Sequence, residues 1–132
     1  YFELREDAEK NFEEFLRHNI EKDDDACVFV ADSQDLGKNE NNLVGYVMGL
    51  VVENPPVFLL KKHGEIIDMC VNVNYRKNGI GRKLYKAINK WFQEKGIARI
   101  ELQAASKNPV SVPFWKKMGF NIVLLRMFKN IH

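Results

Sequence analysis

The chain is poor in the features that mark several large function classes. It has two cysteines in 132 residues, too few for a disulfide framework. Cys27 and Cys70 each lie inside an apolar run and read as small buried hydrophobes in a reducing compartment, which points to the cytoplasm. Charge of neither sign dominates: 20 Lys and Arg stand against 18 Asp and Glu, a net +2, with no basic stripe of the kind nucleic acid requires. Long apolar runs are missing as well. The longest, around Val44 to Val52, is far short of a membrane span and is broken by Gly45 and Gly49, so no membrane partner is expected. His18, His63 and His132 show no metal-ligand spacing with Cys, Asp or Glu, and no metal is expected. Internal repeats and low-complexity segments are absent from the sequence.

What is there suits one compact core. The length and 45% hydrophobic content favour a single domain over residues 1–132, with a small molecule or peptide as partner. Ala8, Phe12, Phe15, Leu16 and Ile20 recur at helical spacing. Ala26 to Ala31 reads as a buried strand, and Leu43 to Val52 as a second one across a polar loop, the two forming a hairpin. Pro55-Pro56 blocks continuation, and Glu65 to Val73 is a third, mostly apolar strand. Ile80, Leu84, Ala87, Ile88, Trp91 and Phe92 line one face of a helix that Gly96 is placed to end. Ile100 and Leu102 alternate with polar residues in a further strand. Asn108-Pro109 is an N-cap followed by proline at the first helical position, opening a helix that ends before Gly119. Phe120 to Phe128 is expected to be the last strand or strand pair. This order predicts an α/β or α+β fold, a mixed sheet with helices packed on it.

The informative segment is the turn from the third strand into the following helix, Val71-Asn72-Val73-Asn74-Tyr75-Arg76-Lys77-Asn78-Gly79-Ile80-Gly81-Arg82-Lys83-Leu84. Unpaired N–H groups at a helix N-terminus attract anions, and glycines remove side chains that would hold a phosphate away. Arg76, Lys77, Arg82 and Lys83 add positive charge suited to a ligand with several phosphates. The alternative is that Gly79 and Gly81 only shape a turn beside a solvated basic face. A Walker A loop fails, because Gly81 is followed by Arg82-Lys83 rather than Lys-Ser or Lys-Thr. A dinucleotide fingerprint fails because Leu84 stands where a small residue is required.

With Arg76, Gly79 and Gly81 at the spacing Arg-x-x-Gly-x-Gly, flanked by Val71, Tyr75 and Leu84, the sequence resembles the GNAT acetyltransferase superfamily. A second block agrees: Asn108, then Phe114-Trp115, then Gly119-Phe120 is similar to the family's later motif. The resemblance covers about Ala26 to Phe128 and implies a mostly antiparallel mixed sheet with one splayed parallel strand pair, the strands containing Val71 and Ile100. It also implies a first strand and helix ahead of Tyr1, and acetyl-CoA as cosubstrate with no metal. Pantetheine would pair near Met69, Val71 and Val73, and the pyrophosphate would lie on Arg76, Lys77, Asn78, Gly79, Ile80, Gly81, Arg82 and Lys83. Asn108 would bind near the pantetheine arm. Phe114 would pack beside the cofactor, with ordinary core packing as its alternative. The implied activity is N-acetyl transfer to a primary amine of a small molecule or peptide; a non-catalytic acetyl-CoA-binding sensor is the alternative. Oligomeric state stays open, a homodimer being one option.

An alkyl ammonium has a pKa of about 10.4 and must lose a proton before it attacks a thioester. Glu65 is the first candidate for that base, at the spacing from Arg76 used by the histone acetyltransferase branch; Asp68, a carboxylate within a strand, is the second. Many members carry Tyr after the Phe of the second motif to protonate the departing thiolate, but here Trp115 follows Phe114, and an indole N–H is a hydrogen-bond donor rather than a proton donor. The acid role is therefore unassigned, with the oxyanion held by a strand N–H near Val71. Asp23-Asp24-Asp25 reads either as a lure for a cationic acceptor or as a solvated loop.

Overall fold

A computed structural model describes residues 24–33 and 43–131; the expected helix around Ala8 to Ile20 and the loop before Leu43 fall outside them. The chain divides between Gln103 and Ala104 into two compact units.

The larger unit holds a sheet of four strands in the order β1 (Ala26–Asp32), β2 (Leu43–Glu53), β3 (Lys62–Val71) and β4 (Ile100–Leu102), with helix α1 (Ile80–Glu94) between the last two strands in the chain. The first two pairs are antiparallel, as the hairpin pattern predicts, and β3 pairs with β4 in parallel. A parallel neighbour requires a crossover, and α1 supplies it. α1 buries Ile80, Leu84, Ile88 and Phe92, four of the six apolar positions that the helical period selects. Its C-terminus closes in a Schellman turn: Gly96 has φ +73°, its N–H donates to the Gln93 carbonyl, and the Ile97 N–H donates to that of Phe92.

The helix can lie this close because three positions on the sheet face beneath it are glycines. A Cβ on Gly64 would stand 2.5 Å from the Phe92 ring, one on Gly49 2.5 Å from Ile88 Cδ1, and one on Gly45 3.3 Å from Leu84 Cδ1. Phe92 and Ile88 are fully buried as a result, and side-chain volume on the helix replaces volume missing from the strands.

The smaller unit contains α2 (Ser111–Lys117). Asn108 Oδ1 accepts from the N–H groups of Val110 and Ser111 at 3.0 and 3.1 Å, so this Asn caps the helix as expected even though regular helix geometry starts later. The far end is a second Schellman turn. Gly119 has φ +97°, its N–H donates to the Lys116 carbonyl, and the Phe120 N–H donates to that of Trp115. Trp115 packs edge-on against Phe120 at 5.4 Å and Phe114 at 4.9 Å, the apolar contact that accompanies such a turn.

Two expectations are corrected. Residues 120–131 form no strand, and Ile122, Val123, Leu124, Leu125, Met127 and Phe128 are exposed: strand-forming residues need a ladder partner, and none of the described residues provides one. The third strand also begins at Lys62 and ends at Val71, not at Val73. Asn72 makes the last ladder bond, to the Val44 carbonyl, then accepts the Asn74 N–H with its side chain, which turns the chain into a 3-10 helix at Val73–Tyr75.

The glycine floor makes a stability prediction. Gly64→Ala should lower the unfolding free energy by about 1–3 kcal/mol through overpacking against Phe92, and Phe92→Leu in that background should recover part of the loss. Urea unfolding midpoints of the two variants and the parent check both statements.

Candidate active site

The site is built on the part of β3 where its neighbour on one side is lost. β3 pairs with β4 only at Gly64, Glu65 and Ile66. On its other side it stays paired with β2 through Val71, but the register shifts: Met48 lies opposite Asp68 and Gly49 opposite Ile66, so Ile67 is an extra residue, a β-bulge. Ladder bonding alternates along an antiparallel strand. Since Asn72 bonds Val44, Cys70 and Asp68 also face β2, and the N–H and C=O of Met69 and Val71 face the open side. Arg76 Nε donates to the Val71 carbonyl at 3.3 Å, which confirms that direction. Met69 and Val71, which the resemblance assigns to the pantetheine arm, thus have their backbone N–H and C=O on the edge that β4 leaves. Val73 lies past the strand in the exposed turn.

Beyond that edge the chain forms the anion turn. Lys77 and Gly79 both have positive φ, 68° and 76°, and Asn78 donates its side-chain N–H groups to the Tyr75 and Arg76 carbonyls. Gly79 is the N-cap of α1 and carries no side-chain cap. The Lys83 N–H takes the Gly79 carbonyl, so the N–H groups of Ile80, Gly81 and Arg82 precede the first intrahelical bond and form the positive end of a 15-residue helix. Nothing lies within 4 Å of where a Gly79 Cβ would be, and Arg76, Lys77, Asn78, Arg82 and Lys83 are exposed. Consecutive N–H groups in left-handed turns at a helix start make an anion-binding concavity.

The carboxylates lie on the sheet face opposite α1. Glu65 pairs with Leu50 and Asp68 with Met48, and because Met48 and Leu50 are two apart on β2, both carboxylates share one face. Tyr46 is on this face and donates its hydroxyl to Asp68 Oδ2 at 2.6 Å. Burial, and then the Asp68 hydrogen bond and charge, push the phenol well above its usual range, so Tyr46 is a protonated donor at neutral pH. Glu101 of β4 lies opposite Glu65. His63 reaches both: its Nε2 is 3.2 Å from Glu65 Oε1 and 3.6 Å from Glu101 Oε2. Tyr46, His63 and Glu101 were not among the expected site residues. The signal for Glu101 is its alternation on β4, but the other two emerge only from cross-strand register.

Asn108 and Phe114 stand in the smaller unit, where Asn108 is committed as a helix cap and Phe114 is half-buried beside Trp115. Their cofactor role remains an expectation of the resemblance. Among the described residues no group of His, Cys, Asp or Glu has the arrangement of a metal site.

The acetyltransferase (GNAT) family model matches residues 1–120. An L-ornithine N5-acetyltransferase of Arabidopsis thaliana is 30% identical over 84 residues, 64% of this chain and 36% of that protein. Matches of this kind cover 36 to 38% of the curated relatives, so the chain spans well under two thirds of their length. Among solved structures, a glucosamine-6-phosphate N-acetyltransferase of Arabidopsis thaliana has the same fold with a TM-score of 0.66 and 18% identity, covering 100% of this chain and 82% of that one. An aminoglycoside N-acetyltransferase solved with CoA gives 0.73 and 15%, covering 93% and 90%.

Cys70 shares the carboxylate face, which raises the question of a thiolate nucleophile. Burial first, and the Asp68 charge second, push its pKa up; burial takes Cys27 up to about 12. Raised pKa values leave less of the reactive thiolate. At pH 8 iodoacetamide should therefore alkylate the native protein more slowly than the urea-unfolded chain, and the native rate should still be climbing above pH 9. Mass spectrometry of timed, quenched samples measures both.

Proposed function

This chain belongs to the GNAT acetyltransferase family, and from that premise we propose that it transfers the acetyl group of acetyl-CoA to a primary amine of a small molecule or peptide. The observation that carries the proposal is the junction of a β3 edge that has no strand partner at Met69 and Val71 among the described residues with a helix-start turn whose Gly79 has open space at its Cβ position. Acetyl-CoA has the two matching parts, an amide-bearing pantetheine arm and a pyrophosphate. The edge groups would pair with the first, and the turn from Arg76 to Lys83 would hold the second. When bound, the cosubstrate supplies an activated acetyl thioester.

The protein's own groups then have three tasks. The N–H of Val71, on the open side, would stabilise negative charge on the carbonyl oxygen as the amine adds. Glu65, or Asp68 with Tyr46 bonded to it, would take the proton that a cationic amine must lose. The carboxylate face would also attract a cationic acceptor, in keeping with the ornithine, aminoglycoside and glucosamine-phosphate in the names of similar proteins. Cys70 is a poor candidate for an acyl carrier, since its thiol is held protonated, which favours direct attack by the amine. Two free cysteines fit a reducing compartment, our reason for proposing the cytoplasm. The second reading, a non-catalytic acetyl-CoA sensor, is favoured by one observation: Trp115 is packed between two rings where many family members have a proton-donating Tyr.

Two variants test the proposal. Gly81→Val should abolish measurable acetyl-CoA binding in calorimetry while the fold persists by circular dichroism; unchanged affinity places the cosubstrate elsewhere. Glu65→Gln should lower kcat by about 100- to 10,000-fold with acetyl-CoA affinity kept, and rising pH should recover part of it as free amine accumulates. Full activity in Glu65→Gln with loss in Asp68→Asn moves the base to Asp68. Absence of thiol release with every member of an amine panel favours the sensor.

A further inference from the structure

The reading of Glu65 as the base leaves one buried titratable group unused. His63 is 8% exposed, sits two residues from Glu65, and is tied at both ring nitrogens. Asn54 Nδ2 donates to the Leu60 carbonyl at 2.9 Å. A carbonyl only accepts, so this bond orients the Asn54 amide, and its Oδ1 is what faces His63 Nδ1 at 2.6 Å. An amide oxygen also only accepts; Nδ1 must carry a proton. The other nitrogen, Nε2, meets Glu65 Oε1 at 3.2 Å, with Glu101 Oε2 3.6 Å away. A ring protonated at Nδ1 alone would aim a lone pair at two carboxylates. The Glu65 contact becomes a hydrogen bond only with a second proton between Nε2 and Oε1, one more than the neutral ring brings. Arg99 Nε, 3.5 Å from Glu101 Oε2, supplies further positive charge to the cluster.

We propose that His63 is a positioning residue for the proton-accepting carboxylate: fixed by Asn54, its ring holds Glu65 Oε1 through a proton on Nε2 and draws Glu101 into the same cluster. The proposal rests on Glu65 as the base. The side chain of Glu65 is 47% exposed against 10% for His63, so the ring anchors from inside a carboxylate that stands at the solvent boundary. In the transfer the proton leaves the amine nitrogen for the second carboxylate oxygen, and the Nε2 proton stays in its bond to Oε1. Glu65 is thereby kept in one rotamer instead of sampling several, which matters because misplacement of a reacting group by about 1 Å can cost about 100-fold in rate.

The substrate-free protein, labelled with 15N in histidine, gives the first test, with the His63 signals assigned by their loss in His63→Gln. The expected spectrum shows Nδ1 protonated and Nε2 signals that shift in Glu65→Ala. A bare Nδ1, or a ring indifferent to Glu65, overturns the proposal whatever the protein catalyses. Kinetics gives the second. His63→Phe, which keeps a planar ring and loses both bonds, should lower kcat by about 10- to 100-fold with KM for acetyl-CoA unchanged. His63→Gln, whose amide still donates to Glu65, should fall between that variant and the parent. Asn54→Ala, which frees the ring without touching it, should lower kcat in the same direction and by less, and it serves if His63→Phe does not fold. Unchanged kcat in both His63→Phe and Asn54→Ala sinks the positioning role and leaves Glu65 as base. Full activity in Glu65→Gln sinks the base reading instead, and the ring spectrum distinguishes the two failures.

Discussion

The extra residue at Ile67 is the constraint from which the rest of the site follows. A regular strand alternates its side chains, so residues three apart, such as Glu65 and Asp68, would lie on opposite faces of the sheet. The bulge re-phases β3: Glu65 and Asp68 come to one face opposite Leu50 and Met48, and Met69 and Val71 turn their backbone groups to the side where β4 has already left. A strand that merely lost its neighbour would expose an edge, but it would present half of its carboxylates to the wrong surface. The bulge and the end of β4 pairing fall within two residues of each other, so the shared carboxylate face and the edge that β4 leaves lie side by side.

The glycines sort into two physical kinds. Gly45, Gly49 and Gly64 are absences of volume, filled by Leu84, Ile88 and Phe92 of α1. This close packing anchors α1 against the β2–β3 pair, and its first turn carries the proposed anion site. Gly79, Gly96 and Gly119 are instead left-handed backbone positions with open space at the Cβ, and a side chain there would be strained at no gain in packing. The Gly-Phe pair after α2 belongs to this second kind: glycine closes the Schellman turn and Phe120 makes its apolar contact with Trp115. That motif therefore has a structural explanation that needs no ligand.

Local chemistry was legible in the sequence; pairing was not. The glycine-bearing turn into α1, both helix stops, the Asn108 cap and the buried stripe of α1 each depend on residues within a few positions of one another, and each of these backbone features stands where spacing put it. Tyr46 with Asp68 and Glu101 with His63 are separated by 22 and 38 positions, and no periodicity reveals a register that slips by one residue at Ile67. The last strand failed for the complementary reason. Phe120 to Phe128 has the composition of a strand, but composition measures fitness for a half-buried pleated surface, and none of the described residues pairs with this segment. Val73 failed locally, because Asn72 has a side chain able to turn the backbone and does so.

Trp115 bears on how the leaving group departs. Its ring packs against Phe114 and Phe120 beside a helix-ending turn, and its indole N–H is not a useful proton donor. A thiol is far more acidic than an amine, with a pKa of about 8.5 against about 10.4. Expulsion of a thiolate near neutral pH therefore asks little of an acid, whereas deprotonation of the attacking amine asks much of a base. The described residues follow that asymmetry. Three carboxylates, a histidine tied at both nitrogens and a tyrosine hydroxyl bonded to Asp68 gather on the face that would receive the amine. On the proposed reaction, these side chains bear on the step that is chemically harder.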